Sequence, residues 1–181
     1  MKATPVSIPD ILVIEPQVFG DSRGFFMESF NQKMFNQVTR LDVSFVQDNQ
    51  SRSMKGVLRG LHYQIEQPQG KLVRAVRGSI FDVAVDIRKS SPYFGQWFGI
   101  NLSEENYLQL WVPAGFAHGF CVLSDTADVL YKTTDYYAPQ FERCLRWNDP
   151  SVGIEWPCSG DPQLSDKDKA GATLQEADVF P

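Results

Sequence analysis

The chain runs to 181 residues, of which 43% are hydrophobic and 22% charged. That length supports one domain with a substantial core and is short for two, and the balance of apolar and charged residues excludes a disordered chain. A net charge of −5 denies it the positive field that nonspecific nucleic-acid binding needs, although a few placed Arg and Lys suffice to hold a small anion.

Near the N-terminus, Ile11, Leu12, Val13 and Ile14 form an apolar run too short for a secretory signal, flanked by Asp10 and Glu15. Asn31 is placed to cap a short helix carrying Met34, Phe35 and Val38 on one face. From about residue 43 to about residue 147 the pattern has period two. Phe81, Val83, Val85 and Ile87 alternate with Asp82, Ala84, Asp86 and Arg88, which predicts a half-buried strand with one wet face. Leu108, Leu110 and Val112 repeat the pattern, as do Val129, Tyr131 and Thr133. Turn signals such as Gln67-Pro68-Gln69-Gly70, Arg77-Gly78 and Pro113-Ala114-Gly115 separate the runs. Many short strands at this spacing predict an all-β sandwich or small barrel with a few short helices.

The uncharged stretch from Asn106 to Ser124 is long enough for a membrane span. It contains Asn, Gln, Pro, His and two Gly, and it alternates, so it reads as strand instead. Ser165 is placed to cap a second helix, with Asp168 at its third position. The last dozen residues read as a loose tail or an edge segment. Cys121, Cys144 and Cys158 are odd in number and without a CxxC pair, which predicts free thiols in a reducing cytosol. No linker appears, so residues 1–181 are expected to form one domain.

Two segments carry chemistry. The first is Arg59-Gly60-Leu61-His62-Tyr63-Gln64, followed by Gly70-Lys71-Leu72-Val73-Arg74. On a strand, His62 shares its face with Gly60 and Gln64, while Arg59 and Tyr63 point away. An imidazole inside a barrel suits a general base, and it equally suits a structural histidine; spacing leaves both open. The second segment is Pro113-Ala114-Gly115-Phe116-Ala117-His118-Gly119-Phe120. Its Pro-x-Gly-x-x-His resembles the second cupin motif, whose His usually binds metal. The first cupin motif needs His-x-His, and here Gln64 takes the place of the second His. With only two histidines in the chain, a three-His site in one subunit is impossible. Glu66 is available to complete a two-His, one-carboxylate set with His62 and His118, yet no metal or other cofactor is expected.

Further segments extend the pattern. They are Phe19-Gly20-Asp21-Ser22-Arg23-Gly24-Phe25-Phe26-Met27-Glu28, Phe45-Val46-Gln47-Asp48-Asn49, Leu130-Tyr131-Lys132 and Leu164-Ser165-Asp166-Lys167-Asp168. Together, in order and from about residue 8 to about residue 168, these segments resemble the dTDP-4-dehydrorhamnose 3,5-epimerase family. The resemblance implies a metal-free cupin jelly roll, usually a homodimer, acting on a dTDP-sugar in the cytoplasm without nucleic acid or membrane.

Position by position, the resemblance implies His62 as base, Tyr131 as acid, Asp168 as partner of the base and Lys71 as stabiliser of an enolate. It implies substrate contacts at Arg23, Glu28, Gln47, Asn49, Arg59, His118, Glu142 and Lys167. It further implies Phe26 stacked on thymine and Tyr137 against the sugar, with the segment from Arg23 to Glu28 reaching into a neighbouring subunit. The implied reaction inverts C3 and C5 of dTDP-4-dehydro-6-deoxy-D-glucose. The rivals are a single-centre epimerase, a metal-dependent cupin oxygenase and a non-catalytic sugar-nucleotide binder. Without the resemblance, each residue has an ordinary role. Asp168 completes a capping box, Tyr131 is a core tyrosine and Lys71 a surface lysine. Glu142 and Arg143 are a solvated pair before a strand at 145–147, and Phe25 and Phe26 are core.

Overall fold

Two sheets face one another in a computed structural model that describes residues 1–158 and 160–181. Four short strands come first: β1 (Lys2–Pro5), β2 (Leu12–Glu15), β3 (Val18–Asp21) and β4 (Gly24–Met27). Helix α1 (Gln32–Thr39) comes next, then β5 (Gln47–Met54), β6 (Leu58–Gln64), β7 (Lys71–Arg77) and β8 (Ser79–Asp86). The chain continues through β9 (Trp97–Ser103), β10 (Gln109–Val112), β11 (Phe116–Val122), β12 (Thr126–Thr133), β13 (Glu142–Cys144) and α2 (Asp166–Lys169). One sheet has the order β1-β2-β10-β7-β12-β5 and the other β13-β6-β11-β8-β9, with all ladders antiparallel. Among the described residues, strands β3 and β4 pair only with each other, as a separate hairpin.

Three apolar layers arise from the alternation. Val73, Leu110, Val129, Ile80 and Ala84 fill the space between the sheets. Leu12, Ile14, Leu72 and Trp111 point out of the six-stranded sheet and are covered by Phe35 of α1. Asn31 caps that helix, its side chain accepting from the Met34 N–H at 3.1 Å.

The expected wet face of β8 is not found. Val83, Val85 and Ile87 are covered by Leu145, Val152, Trp156 and Phe180, and Asp82 and Asp86 are themselves fully buried. Both aspartates keep partners: Asp86 accepts from Arg88 and Ser91, and Asp82 from His118. The C-terminal segment is an edge piece rather than a loose tail. Phe180 bridges Arg88 in parallel, and Tyr63 donates its hydroxyl to the Asp178 carbonyl. The strand expected at 145–147 lies instead at 142–144, as β13, because Glu142, Arg143 and Cys144 pair with Gln64, Tyr63 and His62.

The expectation of three free thiols holds for Cys144 alone. The loop after Trp156 brings Cys158 against β11, 6.7 Å from Cys121 between Cα atoms, so these two cysteines form a close pair. Residues 106–124 form β10 and β11, and among the described residues no helix is long and apolar enough to cross a membrane.

Candidate active site

A cavity of about 350 Å³ opens between the sheets. His62 enters it from β6 in the five-stranded sheet, and Tyr131 enters from β12 in the six-stranded sheet. Lys71, at the start of β7, and His118 of β11 line it as well. An imidazole and a phenol thus reach one space from opposing layers.

Arg59 lines the same cavity as His62, against the simple alternation expected for β6. The register between β6 and β11 slips between the His118–His62 and Phe120–Arg59 pairs. One strand carries an extra residue there, which reverses the facing of the residues beyond it. Glycine makes the slip possible. A Cβ on Gly60, at φ +118°, would stand 2.6 Å from the Gly119 Cα. Arg59 then donates to Ser53 Oγ at 2.8 Å.

Asp168 lies behind His62. Its Oδ1 is 2.6 Å from His62 Nε2 and 3.3 Å from the Gly60 N–H, and its Oδ2 accepts from Ser165 Oγ at 2.7 Å. Ser165 also caps α2 by accepting from the Asp168 N–H. The carboxylate that partners His62 is therefore also bonded to the helix cap, Ser165. Burial pushes the Asp168 carboxyl up, but the hydrogen bonds from His62, Ser165 and Gly60 outweigh it and bring it down to about 2. Burial lowers His62, more than its bond to Asp168 raises it, and Lys167 and Lys71 add to the lowering. At neutral pH the imidazole is neutral; Nε2–H donates to Asp168 and Nδ1 keeps its lone pair.

Lys71 is buried rather than a surface lysine, with Nζ donating to the His62 carbonyl at 3.1 Å. Burial pulls it down to about 8, against the pull of the Asp82 and Glu142 carboxylates. Tyr131 is raised by burial and then by Glu142, so it stays protonated and able to donate. His118 is held by Asp82, Nε2 to Oδ1 at 2.9 Å.

At the rim, Glu142 accepts from Lys167 at 2.9 Å and from the Tyr137 hydroxyl at 3.2 Å. Asp166 pairs with Lys169 and leaves Lys167 to this cluster. Gln47 donates to Asn49 and accepts from the Tyr137 N–H. Gln64 is not placed as a ligand. It donates to the Gln67 and Tyr136 carbonyls and accepts from the Ala138 N–H, so it anchors the loop that carries Tyr137. Glu66 is exposed and outside the cavity lining, so the His62, His118 and Glu66 ligand set is not assembled.

Arg23, Phe26 and Glu28 lie outside this cavity. Phe19, Phe25 and Phe26 are 55%, 58% and 70% exposed, so the latter two are not core residues. Arg23 is tied to Asp21 on the hairpin, and Glu28 accepts from Asn31. Two residues behind the lining, Asp82 beside His118 and Cys144 beside His62, receive no role from the sequence. Asp82 carries a signal, since an acid recurs in an otherwise apolar strand; Cys144 carries none.

Residues 5–176 match the family model described as dTDP-4-dehydrorhamnose 3,5-epimerase. The chain belongs to the dTDP-4-dehydrorhamnose 3,5-epimerase family. A member from Pseudomonas aeruginosa bearing the family's name is 61% identical over 181 residues, covering 100% of both chains. A dTDP-6-deoxy-D-glucose-3,5-epimerase from Legionella pneumophila, solved with dTDP-4-keto-L-rhamnose, superposes with a TM-score of 0.96. It is 52% identical, covering 98% of this chain and 94% of that one. A 3′-monoepimerase from Streptomyces bikiniensis, solved with dTDP-quinovose, gives a TM-score of 0.89 at 36% identity, covering 97% of this chain and 88% of that one. The two facing sheets are the cupin jelly roll of this epimerase family, and the chain is an isomerase.

Proposed function

We propose that this chain inverts C3 and C5 of dTDP-4-dehydro-6-deoxy-D-glucose to give dTDP-4-dehydro-L-rhamnose, by proton exchange without a metal. One observation carries the reading: His62 and Tyr131 line a single cavity from opposite sheets. The hydrogens at C3 and C5 lie next to the C4 carbonyl, so removing one leaves an enolate. Inversion then needs a proton from the other face of the ring. His62 Nδ1 takes the first proton, with Asp168 steadying the imidazolium that forms. Tyr131 returns a proton from the opposite side. Each transfer contributes about 10²–10⁴-fold.

The enolate oxygen needs a fixed positive partner, and Lys71 supplies it from a buried position where its charge is little screened. Arg59 and Lys167 flank the space for the diphosphate, with His118 beside them. Gln47, Asn49 and Glu142 supply polar contacts, and Tyr137 packs against the sugar.

Arg23, Phe26 and Glu28 act in trans. Arg23 and Phe26 stand on a hairpin, with Glu28 just beyond it, that leaves its own cavity and presents exposed rings, which fits a homodimer in which each hairpin completes the partner's site. Phe26 then stacks on thymine and Glu28 reads base or sugar edges. The chain works as one domain in the cytosol, with the dTDP-sugar as its partner and no nucleic acid or membrane.

The likeness to a 3′-monoepimerase makes inversion at one centre the competing outcome. Turnover of the 4-keto sugar nucleotide in deuterium oxide, followed by NMR, decides it. Label at C3 and C5 of a product inverted at both carbons supports double inversion. Label at one carbon overturns it.

A further inference from the structure

Cys144 has no part in that reaction. It pairs across the ladder with His62, and its Sγ, a His62 ring nitrogen and an Asp168 carboxylate oxygen all lie within 4.8 Å of one another. The thiol's hydrogen bond is a long one, 3.6 Å to the Leu145 carbonyl. Nitrogen, sulfur and carboxylate oxygen are the donor types that zinc takes, and three protein ligands leave a fourth position for water.

We infer that Cys144, His62 and Asp168 form an inhibitory site for zinc or a similarly soft divalent cation. Tetrahedral bonds of about 2.0–2.3 Å put ligand atoms about 3.3–3.8 Å apart. The His62–Asp168 contact, now 2.6 Å, therefore opens slightly, and Cys144 closes by a rotamer adjustment. The incoming ion displaces the thiol proton to solvent. Burial, and then the nearby Asp168, push the free thiol up to about 12, so it is unreactive until a cation draws it down. Thiolate and carboxylate together neutralise the doubly charged ion. Lys71 and Lys167, the cations that face His62, then oppose the filled site little, and Glu142 offsets them further. Because a proton is released, binding tightens as pH rises.

Occupancy removes the base whichever ring nitrogen is used. If the ion takes Nδ1, the lone pair is consumed. If it takes Nε2, the ring proton moves to Nδ1 and the lone pair is lost just the same. The loss of turnover rests on the base role proposed for His62; the binding does not.

The test titrates zinc into the full chain in chelator-free buffer, reading epimerisation and competition with a metal dye. Cobalt is then substituted to look for a thiolate-to-metal charge-transfer band. Zinc should inhibit the wild type reversibly, with release by chelator, and cobalt should show the band. Cys144→Ser should keep its turnover, lose the band and need more zinc for half-inhibition, by about tenfold or more. Equal inhibition of the two proteins, or no band in the wild type, would overturn the site. A band with undiminished turnover would support the site and contradict the base role of His62.

Discussion

Asp168 meets His62 Nε2 at 2.6 Å from a helix of only four residues, 106 positions further along the chain. Three donors, His62, Ser165 and the Gly60 N–H, converge on its carboxylate. A group so held stays ionised through the working range and fixes which nitrogen of the imidazole faces the cavity.

Asp168→Asn should therefore lower kcat by about 10²-fold or more while leaving KM largely unmoved. The sign of the pH effect comes from the charge. Asp168 raises the His62 pKa, so removing its charge lets burial pull that pKa lower still. The acid limb of the kcat/KM profile, where His62 protonates and ceases to be a base, should move to lower pH. A variant with the same loss of rate but an unmoved acid limb would show a purely structural aspartate.

Lys71 governs the other side of the profile. Its folded pKa of about 8 means that the cation is present at neutral pH and lost as pH rises through that value. Activity should fall above about pH 8, and Lys71→Met should cost about 10²–10³-fold in kcat. Tyr131 is raised instead of lowered and does not set that limb. Asp82 pulls Lys71 up, so Asp82→Asn should bring the alkaline limb to lower pH. An alkaline limb that ignores both substitutions would remove Lys71 from the mechanism.

The hairpin carrying Arg23 and Phe26 gives a prediction between chains. Arg23→Ala and His62→Ala should each be weak alone. Mixed and re-equilibrated, they should regain activity, because a hybrid dimer holds one site with an intact His62 and an intact hairpin. Random exchange restores about one site in four. A mixture no more active than its components would place Arg23 outside the partner's site.

Much of the jelly roll was legible because period-two patterning survives wherever one face of a strand meets the core. Asn31 and Ser165 also announced their helices, since a capping side chain acts on N–H groups two or three residues away. The misreadings of β8, Arg59 and the cysteines lie where distant segments meet. Asp82 and Asp86 looked wet because nothing local shows that Leu145, Val152, Trp156 and Phe180 cover the opposite face of β8 or that His118 and Arg88 meet the acids within. Arg59 looked outward because a register slip is set by the facing strand. Cys121 and Cys158 gave no spacing cue across their 37 residues. Within the site, residue types were readable from motifs, but the double duty of Asp168 and the burial of Lys71 needed the fold.

The two-sided arrangement of His62 and Tyr131 is tested most directly by Tyr131→Phe in deuterium oxide. Proton transfer by His62 alone predicts that the variant washes deuterium into the substrate with its original configuration kept, while inversion slows by about 10²-fold or more. His62→Ala, in the same assay, should take up no deuterium. Inversion by Tyr131→Phe at the wild-type rate would contradict the mechanism outright.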